Sequence, residues 1–330
     1  MSFHLRNIHF GGILSLGLLC CMWLIAHADN RITEGIQLFE AKKYREAQAI
    51  FEQHWQNHPG DALVASYLGR IFAREGNYEQ AIIWLEQAVK LDDGNSNYHF
   101  WLGQAYGIKA QRAGVLKKAS AAKHVQREFE RAVALNPDNL EARFGLLQFY
   151  LMAPGIMGGS QEKAREQAAE ISSRNEIQGH LAYGFIHQMN QEYAVAEKEY
   201  RATMALDPKN AQPYHSLGYL YIQQKQYDQA IAVFENLLQI QPEETLAYLS
   251  IARVTLMSGK NLDRGEAAVK QFLQVEKTAL ATYHAYAHFI LGDIYKQQAK
   301  KDLARTEFEQ AVKLNPEFDQ AKKALKELDR

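Results

Sequence analysis

Cysteine is almost missing from this chain. Of 330 residues only Cys20 and Cys21 are cysteine, and both lie within the first 21. Beyond them no disulfide, thiol nucleophile or thiolate metal site can form. A surplus of charge is missing too: 37 Lys and Arg stand against 38 Asp and Glu, for a formal charge of -1. A general nucleic-acid binder is usually clearly basic, so no nucleic-acid partner is expected. Proline is scarce at seven residues, and no N-x-[ST] sequon occurs. What is abundant is material for a core: 47% of residues are hydrophobic and 23% charged, which excludes a disordered or collagen-like chain.

The N-terminus reads as an address. Arg6 is the only Lys, Arg, Asp or Glu from Met1 to Ala28, and Phe10 to Ala26 is almost wholly apolar. Ala26-His27-Ala28 then offers small residues at the two positions a signal peptidase reads. The expectation is a secretory signal peptide, residues 1–28, cleaved after Ala28. The run is shorter than the ~20 residues a spanning helix prefers. Cys20 follows Leu19 and sits inside the run, which argues against lipid attachment. An exported chain without later cysteines or sequons fits a bacterial periplasm. The alternative is an inner-membrane anchor through residues 10–26.

Internal repetition decides the rest. Leu217, Gly218 and Tyr221 are followed by Ala230, Phe234 and Pro242, and Leu291, Gly292 and Tyr295 by Ala304, Phe308 and Pro316. Both copies place Pro 24 residues after Gly; Gly35/Pro59 and Gly184/Pro208 keep that distance, and Gly69/Asp93 keeps it with Asp. Leu217, Gly218 and Tyr221 share one helical stripe. Gly218 lets a second helix approach, Ala230 is the small contact there, Phe234 fills the hollow, and Pro242 ends the unit. A lone hairpin of this kind buries too little surface, so copies must stack.

This pattern resembles the tetratricopeptide repeat family over nearly all the chain after the signal segment. The resemblance implies an all-α, right-handed superhelical solenoid of about eight stacked helix hairpins. Units fall at about 28–61, 62–95, 96–139, 140–176, 177–210, 211–244, 245–284 and 285–318. Residues 318–330 read as a polar capping helix, so residues 29–330 form one solenoid. Unit three holds Gly103 and Pro137, 34 residues apart, so about ten residues are inserted between its helices. Unit four has Leu147 in place of Gly and carries Ala153–Ser160, rich in glycine. Unit seven is degenerate, with Ala252 for Gly and Gly265 near the usual Ala.

The resemblance also implies protein or peptide binding in a concave groove lined by the fifth and ninth positions of each unit, not catalysis. The candidate groove residues are Phe100, Gln104, Phe144, Gln148, Leu181, Phe185, His215, Tyr219, Arg253 and Phe289. No unit pairs Lys at position five with Asn at position nine, so a clamp for a C-terminal carboxylate is not expected. The rings point to hydrophobic anchors on an extended or helical partner. Aromatic stripes at helical spacing usually belong to a core, and packing between first helices competes with binding at each of them.

Acid is absent from Gln104 to Arg127, a window holding Lys109, Arg112, Lys117, Lys118, Lys123 and Arg127. Lengthening of both helices is expected here, with a bend near Gly114. Such a hairpin suits an acidic protein face, anionic lipid headgroups or an acidic envelope polymer; a solvated tip is the plainer reading. The glycine-rich loop should neighbour this hairpin, with Ser160 capping the next helix. It lacks a Lys-Ser/Thr ending and a preceding strand, so it is a connector, not a nucleotide loop. The His54/His58 and His284/His288 pairs offer two ligands each, too few for an expected metal site. No catalytic residue and no cofactor is expected. The leading function is a non-enzymatic scaffold or assembly factor of the periplasm. The alternative is a membrane-anchored component of a secretion, pilus or polysaccharide-export machine.

Overall fold

The structure, a computed structural model, describes residues 31–112, 115–276 and 281–328, with the side chains of 112–120 left out. The signal segment with Cys20, Cys21 and Ala28, and the bend at Gly114, lie outside the described residues. Everything described is helix, turn or loop, with no strand among the described residues. The chain divides into two compact units, with the boundary between Asp93 and Gly94.

The first unit holds two hairpins: α1 (31–40) with α2 (Tyr44–Asn57), and α3 (Ala62–Arg74) with α4 (Tyr78–Leu91). Its core gathers Phe39, Phe51, Tyr67, Leu68 and Ile71. Phe51 stacks on Tyr67 at 5.1 Å.

The second unit runs through α5 (Ser96–Arg112), α6 (Val115–Leu135), α7 (Leu140–Met152), a 3₁₀ turn (Gly155–Met157), α8 (Gln161–Arg174), α9 (Glu176–Met189) and α10 (Tyr193–Leu206). It continues through α11 (Ala211–Gln223), α12 (Tyr227–Ile240), α13 (Leu246–Ser258), α14 (Leu262–Val275), α15 (Ala281–Gln297), α16 (Lys301–Leu314) and α17 (Asp319–Leu328). Within this unit each helix packs on the next in sequence. First helices also touch first helices: α5 meets α7, α7 meets α9, α9 meets α11, and α13 meets α15. Contacts therefore stay within a hairpin and its neighbour, as a stacked repeat requires. Two apolar cores follow one another, the first centred on Phe129, Leu147 and Ile171, the second on Tyr200, Phe234, Phe272 and Phe308.

The hairpins form for the reason the spacing gives. Leu217, Tyr221, Ala230 and Phe234 are buried. A Cβ on Gly218 would overlap the Phe234 ring. The same glycine-to-bulky contact recurs 16 residues on at Gly35/Phe51, Gly69/Leu85, Gly184/Tyr200 and Gly292/Phe308. In the enlarged hairpin Gly103 meets Phe129, 26 residues on, so the ten-residue insertion leaves the register unchanged.

The irregular hairpins have their own packing. Hairpin seven moves its small residue to the other helix: Ala252 is buried on α13, and Gly265 on α14 lies against the Thr255 hydroxyl. The enlarged hairpin is the expected pair of longer helices, 17 and 21 residues, but α15 also reaches 17. The closing helix α17 turns Ala321, Ala324 and Leu328 inward.

Candidate functional site

Two regions carry the candidate residues: the fifth and ninth positions of the first helices, and the enlarged edge. The candidate groove residues separate by burial. Phe100 and Leu181 are 5% and 1% exposed and belong to the core, which removes them from any binding face. Their sequence signal, an apolar residue at helical spacing, does not distinguish packing from display. Phe144 and Phe185 are half-buried and lie 5.8 Å apart, linking α7 to α9. His215 is half-buried beside Phe234. Phe289 packs on Phe308 at 5.8 Å and Phe318 at 5.0 Å.

The accessible candidates are Gln104, Tyr219 and Arg253, with Gln148 partly so. Tyr219 is 42% exposed, with its ring edge toward Phe234. Around it the structure assembles a cluster that spans three first helices. Burial pushes the Tyr286 phenol up; Arg253 opposes that shift, while Tyr219 and Asp293 add to it. Burial likewise raises the Asp293 carboxyl, Lys296 opposes and Glu327 adds. Tyr286 stands at position two of its unit, which the fifth-and-ninth rule does not reach. The signal that would have found it is helical spacing: Tyr286 lies three residues, about one turn, before Phe289.

The fourth positions of the first helices carry polar clasps. His99 bonds Glu128 at 2.7 Å with both side chains 4% exposed. His180 bonds Glu199 and His288 bonds Glu307, each at 2.6 Å. Arg143 takes the same position in hairpin four, donating to the Pro137 carbonyl at 2.6 Å and to Gln167 at 3.0 Å. His288 is thus engaged with a carboxylate, and His284 bonds the Glu276 carbonyl. His54 and His58 stack, and His54 pairs with Asp61 at 3.2 Å. No cluster of three metal-ligating side chains exists among the described residues.

At the enlarged edge, Lys109, Lys123 and Arg127 are exposed. Arg127 pairs with Glu128 at 2.6 Å. The side chains of Arg112, Lys117 and Lys118 lie outside the described residues. The glycine-rich loop does neighbour this hairpin: its 3₁₀ turn touches α6, and Gly158, at φ +100°, sits against Gln126. Ser160 caps α8, accepting from the Lys163 amide at 3.2 Å. Between hairpin and loop lies an apolar cavity of about 420 Å³. Gln104 and Gln148 line it together with Ile108, Val125, Phe129 and Met157. No helix among the described residues is long and apolar enough to cross a membrane.

Stacked helix hairpins with a glycine–ring contact at fixed register define a helical repeat protein. Models of the tetratricopeptide repeat match residues 38–100, 188–254 and 285–318, and the chain belongs to that family. Proteins of this family generally act as scaffolds for protein–protein interaction, a fold that is typically non-enzymatic. Human protein O-mannosyl-transferase TMTC3 is 21% identical over 285 residues, covering 82% of this chain and 30% of that protein. A TPR repeat-containing protein of Methanocaldococcus jannaschii is 21% identical over 249 residues, covering 73% of this chain and 42% of that one. The chain thus spans less than half the length of these curated relatives. The crystal structure of a tetratricopeptide repeat protein from Parabacteroides merdae shares 16% identity over 92% of this chain and 99% of that one, with a TM-score of 0.44.

Proposed function

We propose that this chain is a non-enzymatic interaction scaffold that holds a peptide or helix of a partner protein against its first helices. The observation that carries the proposal is the cluster of Tyr219, Arg253, Tyr286 and Asp293. It joins an accessible ring, a guanidinium and a carboxyl across neighbouring hairpins. The few residues that carry most of the energy in protein interfaces are enriched in Trp, Tyr and Arg. Phe185 and Phe289 extend the apolar part of the face, while Gln104 and Gln148 belong with the enlarged edge. The partner is therefore expected to bring an apolar anchor for Tyr219 and a polar or acidic group for Arg253.

The proposed compartment is the bacterial periplasm. The apolar run Phe10 to Ala26 and the Ala26-His27-Ala28 site support that reading. The same apolar run supports a second reading, a membrane-anchored part of an envelope machine. N-terminal sequencing of the native protein separates the two: Asp29 as first residue favours export with cleavage, and an intact Met1 in the membrane fraction favours the anchor.

A photo-crosslinking residue placed at Tyr219 in cells tests the binding face. The expected result is a discrete adduct with one protein, lost on Arg253→Glu. No adduct from position 219, with adducts formed instead from exposed sites on a second helix such as Gln229 or Asn236, overturns the proposal.

A further inference from the structure

Methionine is scarce and unevenly used. The chain has seven, of which five follow residue 28. Met157 and Met204 are half-buried and pack against the two cores of the second unit. Met152, Met189 and Met257 are instead 53%, 39% and 46% exposed. Each of these three is the last or next-to-last residue of a first helix, α7, α9 and α13. The core does not call for methionine at this register, since all three remain at the surface.

That register continues the candidate groove. Met152 follows Gln148 by four residues, Met189 follows Phe185 by four, and Met257 follows Arg253 by four. Residues four apart share a helix face. The ends of the first helices are also tied from hairpin to hairpin. Gln188, next to Met189, donates to the side chain of Gln223 at the end of α11, at 2.8 Å. Gln297, at the end of α15, donates to the Leu256 carbonyl beside Met257, at 3.4 Å. Met189 and Met257 belong to the hairpins on either side of the one that carries Tyr219.

An accessible thioether has two properties. It adapts to an apolar anchor, because the side chain is unbranched and polarizable. It is also open to oxidation. A hydroperoxide transfers one oxygen atom to the sulfur: the O–O bond breaks and an S–O bond forms. The sulfur loses two electrons, and the peroxide leaves as water or an alcohol. The product carries a polar S=O acceptor where apolar surface stood. Covering that oxygen with an apolar anchor that offers no donor is unfavourable. No cysteine lies beyond residue 21, so methionine is the only sulfur the rest of the chain presents to such an oxidant.

We infer that Met152, Met189 and Met257 are oxidation sites through which hydroperoxides release the partner from the groove. The inference rests on the protein-binding reading of that groove. Sulfoxides at Met189 and Met257 flank Tyr219 and act on the segment held there, and Met152 acts at the enlarged edge. Reduction by a methionine sulfoxide reductase returns the thioethers and with them the binding face. All three sites are at the surface, so the buried core is left as it was.

The whole chain, carrying the photo-crosslinking residue at position 219, is treated with dilute hydrogen peroxide, freed of it and irradiated in cell extract. Peptide mapping by mass spectrometry is expected to show sulfoxide at Met152, Met189 and Met257 forming at least fivefold faster than at Met157 and Met204. The adduct from position 219 should fall at least fivefold, and methionine sulfoxide reductase should restore it. Met189→Leu with Met257→Leu conserves apolar volume, so that variant should give the adduct before and after peroxide alike. Met189→Gln with Met257→Gln imitates the polarity of the sulfoxide. With an unchanged far-UV spectrum it should lose the adduct without any peroxide. Equal oxidation of all five methionines overturns the assignment, as does loss of the adduct after peroxide in the leucine variant. A full adduct from the folded glutamine variant, or from wild type oxidised at all three sites, overturns the switch and leaves the groove reading standing. No adduct from the untreated chain overturns the groove reading and the switch with it.

Discussion

At the scale of single residues the repeat is held by two devices. One is the glycine that admits a ring or leucine from the paired helix. The other is the polar residue at position four that reaches the paired helix or the preceding turn. Gly218→Ala puts a methyl group into the Phe234 ring. Overpacking costs about 1–3 kcal/mol, while alanine's helix preference returns about 1 kcal/mol. A net loss of up to about 2 kcal/mol in urea unfolding is expected, and a gain would show that the ring moves aside freely. Burial raises the Glu128 carboxyl, but bonds from His99 and Arg127 outweigh it and hold the group below the ordinary 4.5. A depressed carboxylate contributes stability above its unfolded value and loses it as pH falls through the folded one. Wild-type stability should therefore fall steeply as pH drops below 4.5, and Glu128→Gln should lack that part of the slope. Denaturant midpoints measured from about pH 6 to about pH 3, the span of ordinary carboxylate titration, check it. Parallel slopes for the two proteins would refute the clasp.

At the scale of elements the hairpin turn sets the angle between the helices. Lys42, Gln191, Lys225 and Ala299 take φ of 59–63° at the equivalent turn, and Gly76 takes 83°. Only the last is a glycine, so this turn is not visible as a glycine signal in the sequence. A side chain in this region costs roughly 1–2 kcal/mol, and the extra freedom of unfolded glycine costs roughly 0.5–1. Ala299→Gly is expected to stabilise the last hairpin by up to about 1 kcal/mol, read as a higher melting temperature. At the enlarged edge, the Ser160 cap was legible from residue type and position alone. Ser160→Ala should cost about 1 kcal/mol and raise amide exchange in the first turn of α8.

At the scale of the whole molecule, each unit is held by contacts between near neighbours in sequence. In the second unit this makes stability local. Phe308 is fully buried in the last hairpin, where it packs against Gly292 and Phe289. Phe308→Ala removes a buried ring, at about 3–5 kcal/mol. Hydrogen exchange should accelerate in α15, α16 and α17 while α5 to α8 keep their protection. Uniform acceleration across the unit would mean that it unfolds as one globular core.

The sequence by itself determined the helix hairpin, its register and its family. Those follow from local spacing: Gly218 and Phe234 are 16 residues apart, a distance set by helix pitch and turn length. It also located both irregular hairpins, because an insertion changes a spacing that is otherwise constant. Only the tertiary structure decided which side chains are displayed. Phe100 and Tyr219 share the same kind of stripe, yet one is 5% exposed and the other 42%. The difference lies in the packing around each ring: Phe100 lies against both Trp101 and Phe129, whereas Tyr219 meets Phe234 edge-on. The cavity beside Gly107 is of the same kind: an empty volume is bounded by four segments at once, and no single segment encodes it.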